Sequence, residues 1–199
     1  MGQDQNAAGS ADVGRIPRLS IEDTVTAAEE VGAPTYIADL NVFGVLFHNP
    51  PLASAFNDVL MQLLMNGTLD ARLRELVIMR IGWVTGSEYE WAQHWRIGPQ
   101  LGASQDDMAK VRDWESSDLG VPERAILAAT DEALTDGAVS AGTWKQCEEH
   151  VGGNSVLLEM LTVIGLWKMV SIVAKSVEIP IEEGVESWGP DGIPPASAG

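Results

Sequence analysis

Between Ser20 and Ala174 apolar residues recur every three or four positions, and no stretch alternates apolar with polar at period two. A chain patterned this way buries one stripe of each segment against another, so the expected fold is all-α, helix packed on helix. Helix-stopping chemistry marks the breaks. Ser20, followed by Glu22 and Asp23, reads as an N-cap with an acidic first turn. A short apolar helix over about 38–47 stops at His48-Asn49-Pro50-Pro51, and a second over about 52–65 stops at Asn66-Gly67. Asp70 caps a helix to about Val84, the next runs from about Ser87 to Leu101 and closes at Gly102, and a short one starts at Ser104. Pro122-Glu123, Ser140 and Asn154 open the last three.

These segments fit one domain over 19–187. Residues 1–18 are rich in Gly, Ala, Ser and Asp without periodicity and are expected to form a disordered leader. Residues 188–199, WGPDGIPPASAG, form a Pro/Gly-rich tail that cannot be helix or central strand and has the reach to drape over a neighbouring subunit. Charge narrows the partners. Against 12 Lys and Arg stand 29 Asp and Glu, a formal net charge of -17, which repels nucleic acid and anionic membrane surfaces. The apolar run from Val156 to Ala174 contains Glu159 and Lys168 and is expected to be a core helix, not a membrane span. A lone cysteine, Cys147, forms no intrachain disulfide. With no apolar signal region at the start, a cytoplasmic location is expected.

The chemistry concentrates in TGSEYEWAQH, residues 85–94. On a helix Ser87, Glu90, Trp91 and His94 share one stripe. Two readings stand side by side. Ser-x-x-Glu is the capping-box pattern, in which Ser87 bonds the backbone of Glu90 and Glu90 reaches back. Alternatively Glu90 and His94, four apart, pair, and the carboxylate fixes the tautomer of the imidazole and raises its pKa, as in a general acid or base. On the preceding helix, in LDARLRELVIMRIGW, Glu75 is either in an exposed ion pair with Arg72 or Arg74 or a buried carboxylate facing His94 across the turn at Gly86. Trp83, Trp91, Trp95 and Trp167 read as core or as an aromatic substrate pocket. Three scattered histidines give no recognised metal spacing, although Glu75, Glu90 and His94 are a conceivable ligand set. No glycine-rich phosphate loop follows a strand. Neither a metal nor a cofactor is expected.

The run RELVIMRIGWVTGSEYEWAQHWRIGPQLG resembles the carboxymuconolactone decarboxylase family, which includes the alkylhydroperoxidase D-like proteins. The likeness extends over about 41–178 through LFHNPPLASAF upstream and LTVIGLWKMVSIVAKSVEI downstream. In the peroxidase branch a glutamate precedes a Cys-x-x-Cys pair by twelve positions and a histidine follows the second cysteine by four. Glu75 and His94 stand at those two positions, while Ser87 and Glu90 replace the cysteines. The resemblance implies an oligomeric alkylhydroperoxidase D-like helical domain. It implies a site with Glu75, His94 and Glu90 as catalytic residues and Ser87, Trp91 and His48 touching substrate. Without a dithiol, peroxidase chemistry is disfavoured. A cofactor-independent acid–base enzyme on a small organic molecule, with lyase or isomerase chemistry, is the expectation. His94 would move the proton. Arg72, Arg80 and Arg96 are candidate clamps for an anionic substrate, and none is placed on the His94 face by spacing alone. The rivals are a redox enzyme dependent on Cys147 and a non-catalytic binding or assembly subunit.

Overall fold

The computed structural model describes residues 14–196; the first thirteen residues of the leader and the last three of the tail lie outside it. Among the described residues there are nine α-helices and no strand. They are α1 (Ile21–Glu30), α2 (Asn41–Leu46), α3 (Pro50–Met65), α4 (Ala71–Thr85), α5 (Glu88–Ile97), α6 (Gln105–Lys110), α7 (Val121–Thr135), α8 (Ala141–His150) and α9 (Asn154–Val177).

The expected caps form at four of these starts, one of them Ser104, which accepts from the N–H of Asp107 at 3.1 Å. Ser20, Asp70 and Ser140 each accept a hydrogen bond from the backbone N–H three residues on. The boundaries shift where proline acts. Asn49 caps α3 through the N–H of Leu52, so Pro50 and Pro51 open the helix instead of preceding it. Proline fits the first turn, where no helical partner awaits its missing N–H. Pro99 likewise belongs to a separate 3₁₀ turn, Gly98–Leu101, which shortens the expected helix over 87–101 to end at Ile97.

Helix α4 is the axis of the fold. Leu76, Val77, Ile78, Met79 and Ile81 are fully buried on all its sides, with α5, α7 and α9 packed round it. A second apolar cluster joins α1, α2 and α3 to the end of α9 through Phe43, Phe47, Phe56, Val170 and Ala174. Helix α9 is long and apolar enough by length and composition to cross a membrane. Its Leu157, Met160, Val163 and Trp167 instead complete the main core, while Leu158, Met169 and Ile172 lie exposed on the other face.

The tail from Trp188 packs on its own chain. Trp188 is buried, and the carbonyl of Gly189 accepts hydrogen bonds from Trp91 Nε1 at 2.9 Å and Arg112 Nη2 at 2.6 Å. Of the leader, residues 14–18 are described, and there the N–H of Arg15 donates to the carbonyl of Val177 at 2.8 Å.

Candidate active site

The turn between α4 and α5 brings the chemistry together. Gly86 closes α4 in the left-handed region at φ 64°, which glycine adopts without strain, and the N–H of Ser87 reaches back to the carbonyl of Gly82 at 2.9 Å. Gly82 lets the two helices touch: a Cβ there would stand 3.2 Å from the backbone N of Trp91. The return path places Glu75 opposite His94, nineteen residues apart in sequence, with Oε2 2.6 Å from Nδ1. Both side chains are buried. Of the two readings of Glu75, the buried one holds. Its other oxygen takes Arg74 Nε at 3.3 Å, and Arg74 is itself buried, with Nη1 donating to the carbonyl of Leu63.

The other nitrogen of His94 is occupied too. Trp167 Nε1 lies 3.0 Å from His94 Nε2. An indole N–H only donates, so Nε2 is an acceptor and carries no proton. The proton of the ring is therefore on Nδ1, donated to Glu75. Both nitrogens are engaged, which leaves no lone pair for a metal. Among the described residues no group of three His, Cys, Asp or Glu side chains is arranged to hold one.

Glu90 is different. It is buried, sits 4.0 Å from His94 Nε2, and makes no hydrogen bond to any described residue. Its carboxyl faces an apolar cavity of about 180 Å³ between α2, α3, α5 and α9, walled by Phe43, Phe56, Leu60, Leu64 and Val170. Four surface hollows, of about 280 to 470 Å³, are larger, but none is lined by a His.

The electrostatics follow from this placement. Burial pushes Glu90 up to about 7, with Glu75 adding to the rise and His94 opposing it. Burial alone would lower His94, but the carboxylates of Glu75 and Glu90 outweigh it and hold the ring above its ordinary value. Burial alone would raise Glu75, yet His94 and Arg74 pull it below the carboxylate range. Glu90 and His94 thus titrate as a coupled pair. The Trp167 N–H bears on the place of their shared proton. It requires a bare Nε2 and so opposes placing that proton on the ring, against the pull of the two carboxylates.

The remaining expected residues go elsewhere. Ser87 is the N-cap of α5, but its hydroxyl makes no capping bond; it is buried, has no hydrogen-bond partner, and borders a separate hollow with Gly86 and Lys175. The capping box is not formed, because Glu90 turns toward His94. Trp91 is fully buried and faces away from the cavity, stacked on Trp95 at 5.9 Å and packed on Trp83 at 5.3 Å, with the Arg112 guanidinium 4.9 Å from its ring centroid. It is core, not a substrate wall. His48 is exposed at the end of α2, its Nε2 2.7 Å from the carbonyl of Pro17, and does not line the cavity. Arg72 and Arg80 are occupied by Asp107, Glu123 and Asp131 and lie outside it; Arg96 does line it. Cys147 is buried on α8, its thiol donating to the carbonyl of Ala125 at 3.4 Å and pushed up to about 11 by burial. Gln93, also at the cavity, is absent from the expected site, and Trp167 is expected only as core or aromatic pocket and not as a partner of His94. The signal for Gln93 is its place three residues from Glu90 on one face of α5.

Known proteins share this fold. Residues 50–132 match the model of the carboxymuconolactone decarboxylase family. Among solved structures, an alkylhydroperoxidase AhpD core, an uncharacterized peroxidase-related protein from Ralstonia eutropha JMP134, superposes with a TM-score of 0.71 at 16% identity, over 87% of this chain and 95% of that one. An uncharacterized peroxidase-related protein from Silicibacter sp. TM1040 gives 0.68 at 13% identity, over 90% and 96%. A variant of the debrominase Bmp8 in complex with 2,3,4-tribromopyrrole gives 0.64 at 15% identity, over 89% and 95%. At these identities the likeness is one of fold. No curated protein matches the chain by sequence.

Proposed function

We propose that this chain, whose residues 50–132 match the carboxymuconolactone decarboxylase family and whose fold is alkylhydroperoxidase D-like, is an enzyme transferring a proton on a small organic molecule, with Glu90 as the group that delivers it. The observation that carries this is the state of Glu90: a buried carboxyl, lifted to about 7, with no hydrogen-bond partner, facing an apolar cavity. A neutral carboxylic acid near its pKa at working pH is what general acid catalysis requires.

His94 has a supporting role in this reading, which revises the expectation that it moves the proton itself. With Nδ1 on Glu75 and Nε2 on Trp167, the ring is fixed in orientation. Once Glu90 has given up its proton, the ring offers a place for the replacement. Swinging the Trp167 N–H away from Nε2 frees that nitrogen to take a proton and face the new carboxylate. Lyase or isomerase chemistry on a lactone or related carbonyl compound suits one acid of this kind. In a lyase step that releases carbon dioxide, the electron pair of the broken C–C bond takes the Glu90 proton; in isomerisation the resulting Glu90 carboxylate takes a proton back from another carbon, so neither needs a cofactor to balance. The cavity is below the roughly 300–1,000 Å³ of drug-sized sites, so the substrate is small. The debrominase of this fold, in complex with a brominated pyrrole, supports a substrate about one ring in size.

Thiol peroxidase chemistry has no support in Cys147, which is buried and far above the range where a thiolate forms. We also propose a homo-oligomer in the cytoplasm, with no nucleic-acid or membrane partner. Leu158, Met169 and Ile172 along α9 are exposed apolar side chains that a second copy would cover.

The test is exchange of carbon-bound hydrogen. Carboxylated γ-lactones and their enol-lactone isomers, incubated with the protein in deuterated buffer, are expected to exchange, and Glu90→Gln is expected to slow this by about 10²–10⁴-fold. Equal exchange in Glu90→Gln and wild type would contradict the assignment.

A further inference from the structure

We infer that the substrate carries one anionic group, held by Arg96 at the edge of the cavity, and an otherwise apolar body. The inference deepens the proposed function and rests on its choice of cavity, but not on which residue moves the proton.

Arg96 lies on α5 six residues beyond Glu90 and lines the same cavity. It is exposed and has one hydrogen bond, from Nη2 to Gln93 Oε1 at 2.8 Å. The direction of that bond is fixed from behind. Gln93 donates its amide nitrogen to Glu182, which also accepts from Tyr89 Oη at 2.9 Å and from the backbone N–H of Asn41 at 2.9 Å. With its donor end committed to Glu182, Gln93 can only show its oxygen to Arg96. That bond steadies one arm of the guanidinium and leaves Nη1 and Nε free.

Most arginines in this chain have a carboxylate partner, Arg15 and Arg74 among them, while Arg124 spends its donors on the carbonyls of Trp114, Glu115 and Ser117. Acidic residues outnumber basic ones by more than two to one, and Arg72, Arg80 and Arg112 each pair with at least one Asp or Glu. Arg96 pairs with none among the described residues. Beside it at the cavity stand Glu90, neutral in the function proposed above, and His94, whose Nε2 accepts from Trp167. The edge of the cavity therefore presents one uncompensated cation, while Phe43, Phe56, Leu60, Leu64 and Val170 accept only apolar surface. A fork of N–H donors matches a carboxylate. In a protein of net charge -17 the long-range field opposes an anion, so a local unpaired arginine is the feature that would admit one.

Benzoate and benzamide test this directly, since they share one ring and differ in charge. Each is titrated into the full chain while NMR follows the indole N–H of Trp167 and the ring protons of His94. Benzoate is expected to bind and shift these signals, and Arg96→Gln is expected to weaken it by about tenfold or more, the scale of losing a charged hydrogen bond. Arg96→Lys is expected to recover part of the loss. Benzamide should bind more weakly than benzoate to the wild type and be indifferent to Arg96→Gln. Equal binding of the two probes, benzoate binding unchanged in Arg96→Gln, or no benzoate shift at millimolar concentration would each overturn the inference. Glu90→Gln separates the two proposals. Hydrogen exchange that survives Glu90→Gln, with benzoate still dependent on Arg96, would remove the acid and leave the anion site standing.

Discussion

Trp167 donates its indole N–H to Nε2 of His94 across 3.0 Å, and this one bond opposes protonation of the ring. It favours the neutral ring, in opposition to the two carboxylates beside it. Trp167→Phe removes the donor and keeps an aromatic ring. The His94 pKa is then expected to rise, as followed by NMR titration of the ring protons. A fall, or no change, would mean that the indole is packing and nothing more.

Glu75→Gln is expected to be the most destabilising single change at the site. The amide still accepts from Nδ1 of His94, but Arg74 is left buried without its carboxylate. Breaking such a pair from one side costs about 3–5 kcal/mol in denaturant unfolding. The pKa of Glu75 is lowered in the fold, so its contribution is complete above the ordinary carboxylate range and is lost as pH falls through the lowered value. The gap between Glu75→Gln and wild type should therefore close in strong acid.

Glu90→Gln should act in the opposite sense. Burial raises Glu90 from 4.5 to about 7, so the folded state holds a proton that the unfolded chain releases between those values. Stability then falls as pH rises through this window. Glu90→Gln removes that loss. It is expected to match wild type near pH 4 and to exceed it by about 3 kcal/mol at pH 8. A variant less stable than wild type at pH 8 would show that the carboxylate is held by partners absent from this structure.

Ser87→Ala separates position from role. Losing a true N-cap costs about 0.5–2 kcal/mol, and Asp70→Ala, which removes the oxygen that accepts from the N–H of Leu73 at 3.0 Å, is expected to show it. Ser87 makes no such bond and its hydroxyl is buried without a partner. Ser87→Ala is expected to be neutral to within about 0.5 kcal/mol or mildly stabilising. A cost equal to that of Asp70→Ala would restore the capping box.

What was legible in the sequence was periodic or local. The helices from α3 onward could be read from apolar spacing and from caps such as Asp70 and Ser140, and the Glu75–His94 contact from the turn at Gly86 between two strong helical patterns. Stretches decided by tertiary competition were not. Ser87 and Glu90 satisfy the capping pattern, yet Glu90 turns inward because His94 lies one turn along the same face. Trp91 shares a stripe with His94 by counting, but one residue rotates a side chain by about 100°, enough to carry it from the cavity wall into the Trp83–Trp188 cluster. The bond from Trp167 to His94 and the place of Arg96 on the cavity edge came only with the long-range packing of α2, α3 and α9 on α5. No spacing rule connects residues 73 positions apart.

The claim on which the rest depends is that Glu90, not His94, holds the proton of the pair at neutral pH. Infrared difference spectroscopy between wild type and Glu90→Gln reads this without a substrate, since a protonated carboxyl absorbs apart from carboxylates. A carboxylic-acid band is expected at pH 6, absent in Glu90→Gln and lost with a midpoint near 7, while His94 is expected to show the signature of a neutral ring protonated on Nδ1. A Glu90 already ionised at pH 5 beside a doubly protonated His94 would contradict it.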